Sequence, residues 1–248
     1  MAGDKVMSGM PDALRTSNQT FEFGNSSRVR IWLRMALLFF GLALFAQATW
    51  IAVAEFYHTR VIRLALDDRA RLSTRLEQDR AQQAAGLAGL RGDLWAESAL
   101  TYSSQLWNEK ADLRPEITKA AQIDLENAVR YSPHRGDVWL MFAGMAARYK
   151  WRDYKPSSLL KMSYYTAPNE VGLIPLRLMI SLREWTDDPE LQDLILRDIR
   201  VVLTRLPNLR SSLTTAYKAA SPEGKAAVEQ LASKIDASYL ASIHGKSR

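Results

Sequence analysis

Hydrophobic and polar positions along this chain fall into three regimes. From Met35 to Ala54 the run MALLFFGLALFAQATWIAVA carries no charged residue and no polar face. At about 1.5 Å of rise per residue, such a helix matches a hydrocarbon core of roughly 30 Å. The pattern predicts a membrane helix over residues 31–57, either a retained signal anchor or, with Ala46-Gln47-Ala48 and Ala52-Val53-Ala54 as small-x-small sites, a cleaved signal. Residues 1–30 mix Gly, Ser, Asn, Thr and Asp with few large apolar side chains and predict a disordered tail. Beyond the span, apolar positions recur at helical spacing with no alternation of period two, so the rest of the chain is expected to be all-α.

No Gly or Pro occurs from Leu42 to Ala85, so nothing local stops a helix at the membrane surface. Val61, Leu64, Ala65, Leu72 and Leu76 form a narrow apolar stripe that fails at Asp68, Asp79 and Gln83. This predicts a helical stalk over 58–92, packed on the body or paired with a second copy. Gly86, Gly89 and Gly92 then recur every third residue. They either admit a close helix approach or mark a joint, and the cost of about 1 kcal/mol for each Gly inside a helix favours a joint or bend.

The body, residues 93–242 with a flexible end at 243–248, reads as helices joined by short turns. Leu94, Trp95, Ala99, Tyr102 and Leu106 share one face. Pro115-Glu116, Asp188-Pro189-Glu190 and Ser221-Pro222-Glu223 are helix starts, with Pro in the first turn and a carboxylate at the positive end of the dipole. Ser157 is expected to cap a helix at Leu159–Tyr165. Ser132-Pro133-His134, Ala167-Pro168-Asn169 and Leu206-Pro207-Asn208 each separate two helical runs, their prolines 35 and 39 residues apart. Ala121, Leu125 and Ala128 precede Pro133 as small, bulky and small residues, and Asp137-Val138-Trp139-Leu140, Ala143-Gly144 and Ala147 follow it. Over roughly 94–240 this resembles a degenerate tetratricopeptide-repeat array. The resemblance implies stacked antiparallel helix hairpins in an α-solenoid whose first helices line a concave binding side. A non-repetitive helical bundle is the other architecture compatible with the same punctuation.

Chemistry is sparse. The absence of cysteine excludes disulfides, thiolate metal sites and cysteine nucleophiles. His58, His134 and His244 have no metal-ligand spacing, and no nucleophile elbow or phosphate loop is present. The chain is therefore expected to be non-enzymatic, without cofactor or metal. A net charge of +6 over 248 residues is too mild to point to nucleic acid. The densest candidate surface is Arg148-Tyr149-Lys150-Trp151-Arg152-Asp153-Tyr154-Lys155, where cations alternate with aromatic rings. Arg148, Tyr149, Lys150, Trp151, Arg152 and Tyr154 are candidate partner-binding residues. The competing reading is a turn whose rings anchor it and whose cations are solvated. The repeat register extends the surface to Arg177, with Arg183 and Trp185.

At the span, Trp32 and Arg34 on one side and Phe56 and Tyr57 on the other suit the headgroup zones, Trp50 lies toward the second boundary, and Gln47 is the one strongly polar side chain inside. Arg28, Arg30 and Arg34 stand nearest the span, which favours a cytoplasmic N-terminus and a periplasmic body in a bacterial inner membrane. The expected function is a membrane-anchored scaffold for a partner protein, in envelope assembly, secretion or polysaccharide export. The alternatives are glycan binding through the basic–aromatic surface and a structural homodimer formed by span and stalk.

Overall fold

The computed structural model describes residues 27–57, 75–103 and 115–245. Among them all regular structure is helical: α1 (Ser27–Tyr57), α2 (Arg75–Leu87), α3 (Gly92–Leu100), α4 (Pro115–Tyr131), α5 (Gly136–Tyr149), α6 (Pro156–Thr166), α7 (Ile174–Arg183), α8 (Pro189–Thr204), α9 (Arg210–Lys218), α10 (Pro222–Ile235) and α11 (Ala237–Ile243). Short 3-10 turns, Val171–Leu173 and Pro207–Leu209, precede α7 and α9. Residues 1–26 of the expected tail, the stalk stripe from Val61 to Leu72, His58, Leu106 and residues 246–248 lie outside the described residues.

α1 has 31 residues, about 46 Å at 1.5 Å each. Its stretch Val29–Val53 is long and apolar enough to cross a membrane, and none of it is buried. Trp32, Phe39 and Phe45 are each at least 70% exposed. A helix apolar on every side has no polar face to offer water. The helix begins eight residues before the uncharged run, because Arg28, Arg30 and Arg34 are compatible with helix and no breaker separates them from it. Trp32, Arg34, Gln47, Trp50 and Phe56 are all exposed along α1. The Tyr57 side chain lies outside the described residues.

The chain divides into units 1–48 and 49–248. In the second, α2 and α3 pack through small residues, Ala84, Ala85 and Ala88, against Leu94. The main core then runs from α3 to α11. Buried inside it at helical spacing are Ala121, Leu125 and Ala128 of α4; Val138, Met141, Phe142 and Met145 of α5; Leu191, Ile195, Ile199 and Val202 of α8; and Val228 of α10, with Tyr149, Leu194, Leu231 and Ile235 packed at its margin. α3 packs on α4 and α5 on α6, as hairpins do. Further along the pattern changes, with α7 packing mainly on α9 and α8 on α10, so that alternate helices form two layers. An all-α body of this order is compatible with a helical solenoid.

Helix ends follow local chemistry. All three turn prolines, Pro133, Pro168 and Pro207, fall between α-helices. Asp188 accepts hydrogen bonds from the backbone N–H groups of Glu190 (3.1 Å) and Leu191 (3.3 Å), and Ser221 accepts one from Gly224 (3.1 Å). The Ser157 cap does not form. α6 begins at Pro156 with Lys155 as N-cap and no side-chain capping bond, because proline presets the helical φ one residue before Ser157.

The glycine-rich stretch separates into two roles. Gly86 ends up within α2 and Gly89 in the turn after it, with open space beside both. Gly92 is instead a packing glycine: a β-carbon there would lie 2.5 Å from the Tyr131 carbonyl carbon. The joint expected at this stretch is a tight α2–α3 turn. The same arrangement recurs at Gly136, where a β-carbon would lie 2.4 Å from Ala167 Cβ. The two glycines belong to matching pentapeptides, Arg91-Gly92-Asp93-Leu94-Trp95 and Arg135-Gly136-Asp137-Val138-Trp139, 44 residues apart. In each the Arg pairs with the Asp two residues on. In each the Trp indole N–H donates to a carbonyl six residues back, Gly89 (2.9 Å) or Pro133 (2.7 Å). One helix-start device is thus used twice, each time beneath the C-terminal end of a following helix.

Candidate partner-binding surface

α5 stops where Lys150 turns left-handed (φ 52°, ψ 45°), its N–H returning to the Ala146 carbonyl. Trp151 also bonds that carbonyl at 3.2 Å, and the chain reaches α6 five residues later. This geometry turns the rings of the candidate segment inward. Phe142, itself buried, meets Trp151 edge-on at 5.9 Å and Tyr154 at 4.6 Å. Tyr149 lies 6.0 Å from Trp151. Tyr154 Oη donates to Glu126 of α4 at 2.7 Å; burial first, then that carboxylate, pushes the phenol up to about 12. Burial likewise raises the Tyr149 phenol. Tyr149, Trp151 and Tyr154 are therefore half-buried anchors of the turn, while Lys150 and Arg152 face solvent.

Arg177 is a correction. It was expected on the surface, and it is fully buried. Its Nη2 donates to the carbonyls of Ser163 (2.6 Å) and Ala167 (2.9 Å), its Nε to Ser163 Oγ (3.2 Å), and its guanidinium lies 4.4 Å above the Tyr164 ring. Ser163 and Ala167 mark the C-terminal end of α6, where the dipole is negative; their carbonyls also accept the backbone N–H groups of Ala167 and Glu170. Arg177 adds a charged donor to that end from α7. Burial lowers its pKa, and buried Asp198 of α8 counters by favouring the cation. Arg177 is therefore a structural cation joining three helices.

The surface that remains is a cavity of about 150 Å³ between α5 and α7. Gly144, Ala147 and Arg148 come from one face of α5, and Leu176, Met179, Ile180 and Arg183 from one face of α7, with Lys150 and Glu184 at the rim. The spacings are helical on both sides. Gly144 and Ala147 keep the α5 wall low, and Leu176, Met179 and Ile180 supply an apolar floor. Three cations against one carboxylate make the rim positive. Arg183 is exposed and Arg148 half-buried. Trp185 packs against the core instead. Each wall has helical i, i+3, i+4 spacing in the sequence, but that α5 and α7 face each other is a tertiary fact, and the cation–aromatic string at 148–155 mostly holds the turn. His134 is exposed, and His244 lies 3.1 Å from Glu229.

No protein-family model, no curated protein and no solved structure matches this chain.

Proposed function

We propose that the chain is a membrane-anchored helical scaffold that docks a partner protein in the cavity between α5 and α7. In this reading α1 is the single anchor, its N-terminus cytoplasmic, and the tetratricopeptide-like body is periplasmic in a bacterial inner membrane. The setting would be envelope assembly, secretion or polysaccharide export. The observation that carries the proposal is the α5–α7 cavity, an apolar floor ringed by Arg148, Lys150 and Arg183. A segment presenting one apolar side chain beside a carboxylate complements it, the side chain filling the floor and the carboxylate meeting the arginines. Glycan binding is disfavoured by the rings themselves. Trp151 and Tyr154 are half-buried and engaged with Phe142, which leaves less ring surface for a sugar to stack on.

The test is recovery of a partner from detergent-solubilised membranes. Two variants probe the cavity in different ways: Arg148→Glu/Arg183→Glu reverses the rim, and Met179→Trp fills the floor. Each is expected to reduce recovery by about tenfold or more with unchanged thermal unfolding. Recovery equal to wild type from both variants rejects the site.

A further inference from the structure

A second cavity, of about 440 Å³, lies on the other side of α7, between the α6–α7 connection and α8. One edge is a row of donors: Arg197 and Arg200 one helical turn apart on α8, and Arg205 just past its end. All three are exposed, and Arg197 lies close enough to Asp198 to favour its ionised form. The facing edge carries Asn169 and Glu170 from the connection. The wall between them is apolar, formed by Val171, Ile174 and Val201. At the back lies Asp198, which is 4% exposed and whose Oδ2 has no hydrogen-bond donor. The 3-10 turn that begins here has Glu170 as its N-cap, so that helix start already carries a carboxylate.

We propose that this cavity binds a hydroxylated phosphate ester of about the size of glycerol phosphate. The physical reason is a division of labour across the cavity. Arginine forks match phosphate oxygens bidentately, and three exposed guanidinium groups within one cavity favour a multiply charged oxyanion over a single carboxylate. A bare anion would meet Glu170 and Asp198 unfavourably. Hydroxyl groups carried beside the phosphate reverse that, because they donate to those carboxylates and to the Asn169 carbonyl while their carbon skeleton covers Val171 and Val201. The ester is either a soluble monoester or the headgroup of an anionic lipid; both present glycerol hydroxyls beside a phosphate, the lipid diester with one charge where the monoester has two.

Calorimetric titration of the full-length protein in uncharged detergent micelles tests this. Glycerol 3-phosphate is expected to bind saturably at millimolar concentration or below, inorganic phosphate about tenfold more weakly, and glycerol not at all. Arg197→Gln/Arg200→Gln, both exposed positions, is expected to weaken glycerol 3-phosphate at least tenfold without changing thermal unfolding. Glu170→Gln is expected to narrow the preference for glycerol 3-phosphate over phosphate. Glycerophosphoglycerol, the deacylated lipid headgroup, separates the sources: tighter binding than glycerol 3-phosphate assigns the site to lipid, weaker binding to a soluble ester. No saturable binding, equal affinity for phosphate and its glycerol ester, or affinity untouched by the arginine variant overturns the proposal.

Discussion

Replacing Arg177 with Met is expected to cost about 3–5 kcal/mol of stability, although the substitution removes a charge from an apolar core. The reason lies in what stays behind. The Ser163 and Ala167 carbonyls at the end of α6 lose their charged donor and keep only a backbone one each, and Asp198 is left buried without the cation that favours its ionised form. Against a total stability of about 5–15 kcal/mol, that loss lowers the unfolding temperature sharply or prevents accumulation of folded protein. Arg177→Lys restores the charge without the planar fork and is expected to recover only part of the loss. Arg183→Gln, six residues on and exposed, is the control and is expected to change stability by about 0.5 kcal/mol or less. Thermal and urea unfolding of the three variants decide the matter. Equal unfolding of Arg177→Met and Arg183→Gln would contradict the structural role.

The second large effect is a dependence of stability on pH set by Asp124. This carboxyl on α4 is fully buried; its Oδ2 accepts from Ser98 Oγ at 2.5 Å, and its Oδ1 has no partner. Burial pushes its pKa from 3.8 to about 6, with the Ser98 bond opposing. A raised carboxyl pKa means that the folded state holds the proton more tightly than the unfolded chain. Its contribution to stability is therefore present at low pH, falls as pH rises from about 4 to about 6, and levels off above. The size is on the order of 3 kcal/mol. Several carboxylates act with the opposite sign: Asp93, Asp188, Glu190, Glu229 and Asp236 are all held low, chiefly by hydrogen bonds from Arg91, Lys161, Lys161 again, Tyr217 and Ser238 respectively. The clean observable is thus the difference between wild type and Asp124→Asn, which keeps an acceptor for Ser98 and cannot ionise. The variant is expected to be the more stable of the two near pH 7.5, with the advantage shrinking toward about pH 4. A difference that is constant across that range would show that Asp124 does not titrate as its burial implies.

How far the fold could be read in advance depended on whether one local rule governed each element. The long apolar helix α1 follows from composition alone, because any polar face would have broken the run from Met35 to Ala54. The starts at Pro115, Pro189 and Pro222 follow from proline in the first turn with acidic neighbours, and the interior stripes from periodicity. Arg177 was misplaced because its charge was read without its helical neighbours. Leu173, Ile174, Ile180 and Ser181, the residues three and four away on either side, are all buried, and that pattern places position 177 inside. The rings at 149–154 were ambiguous for a different reason. Whether they face a partner or the core depends on Phe142 across the turn and on the left-handed Lys150, a tertiary and a backbone fact that residue types do not carry. The α5–α7 cavity needed two helices brought side by side. Each wall was legible as a stripe, but their facing was not. The paired Arg-Gly-Asp-apolar-Trp starts are present as plain letters at 91–95 and 135–139, a repeat of 44 residues that the proline spacing does not share.

The account as a whole stands on α1 holding the full-length chain in a bilayer while the body offers its cavities outside. Washing isolated membranes at high pH with carbonate, followed by sedimentation and detection of the intact polypeptide, tests that most directly. The account predicts that the uncleaved chain stays with the lipid pellet after washing and leaves it only on addition of detergent. Appearance of the intact, uncleaved chain in the alkaline supernatant would contradict it.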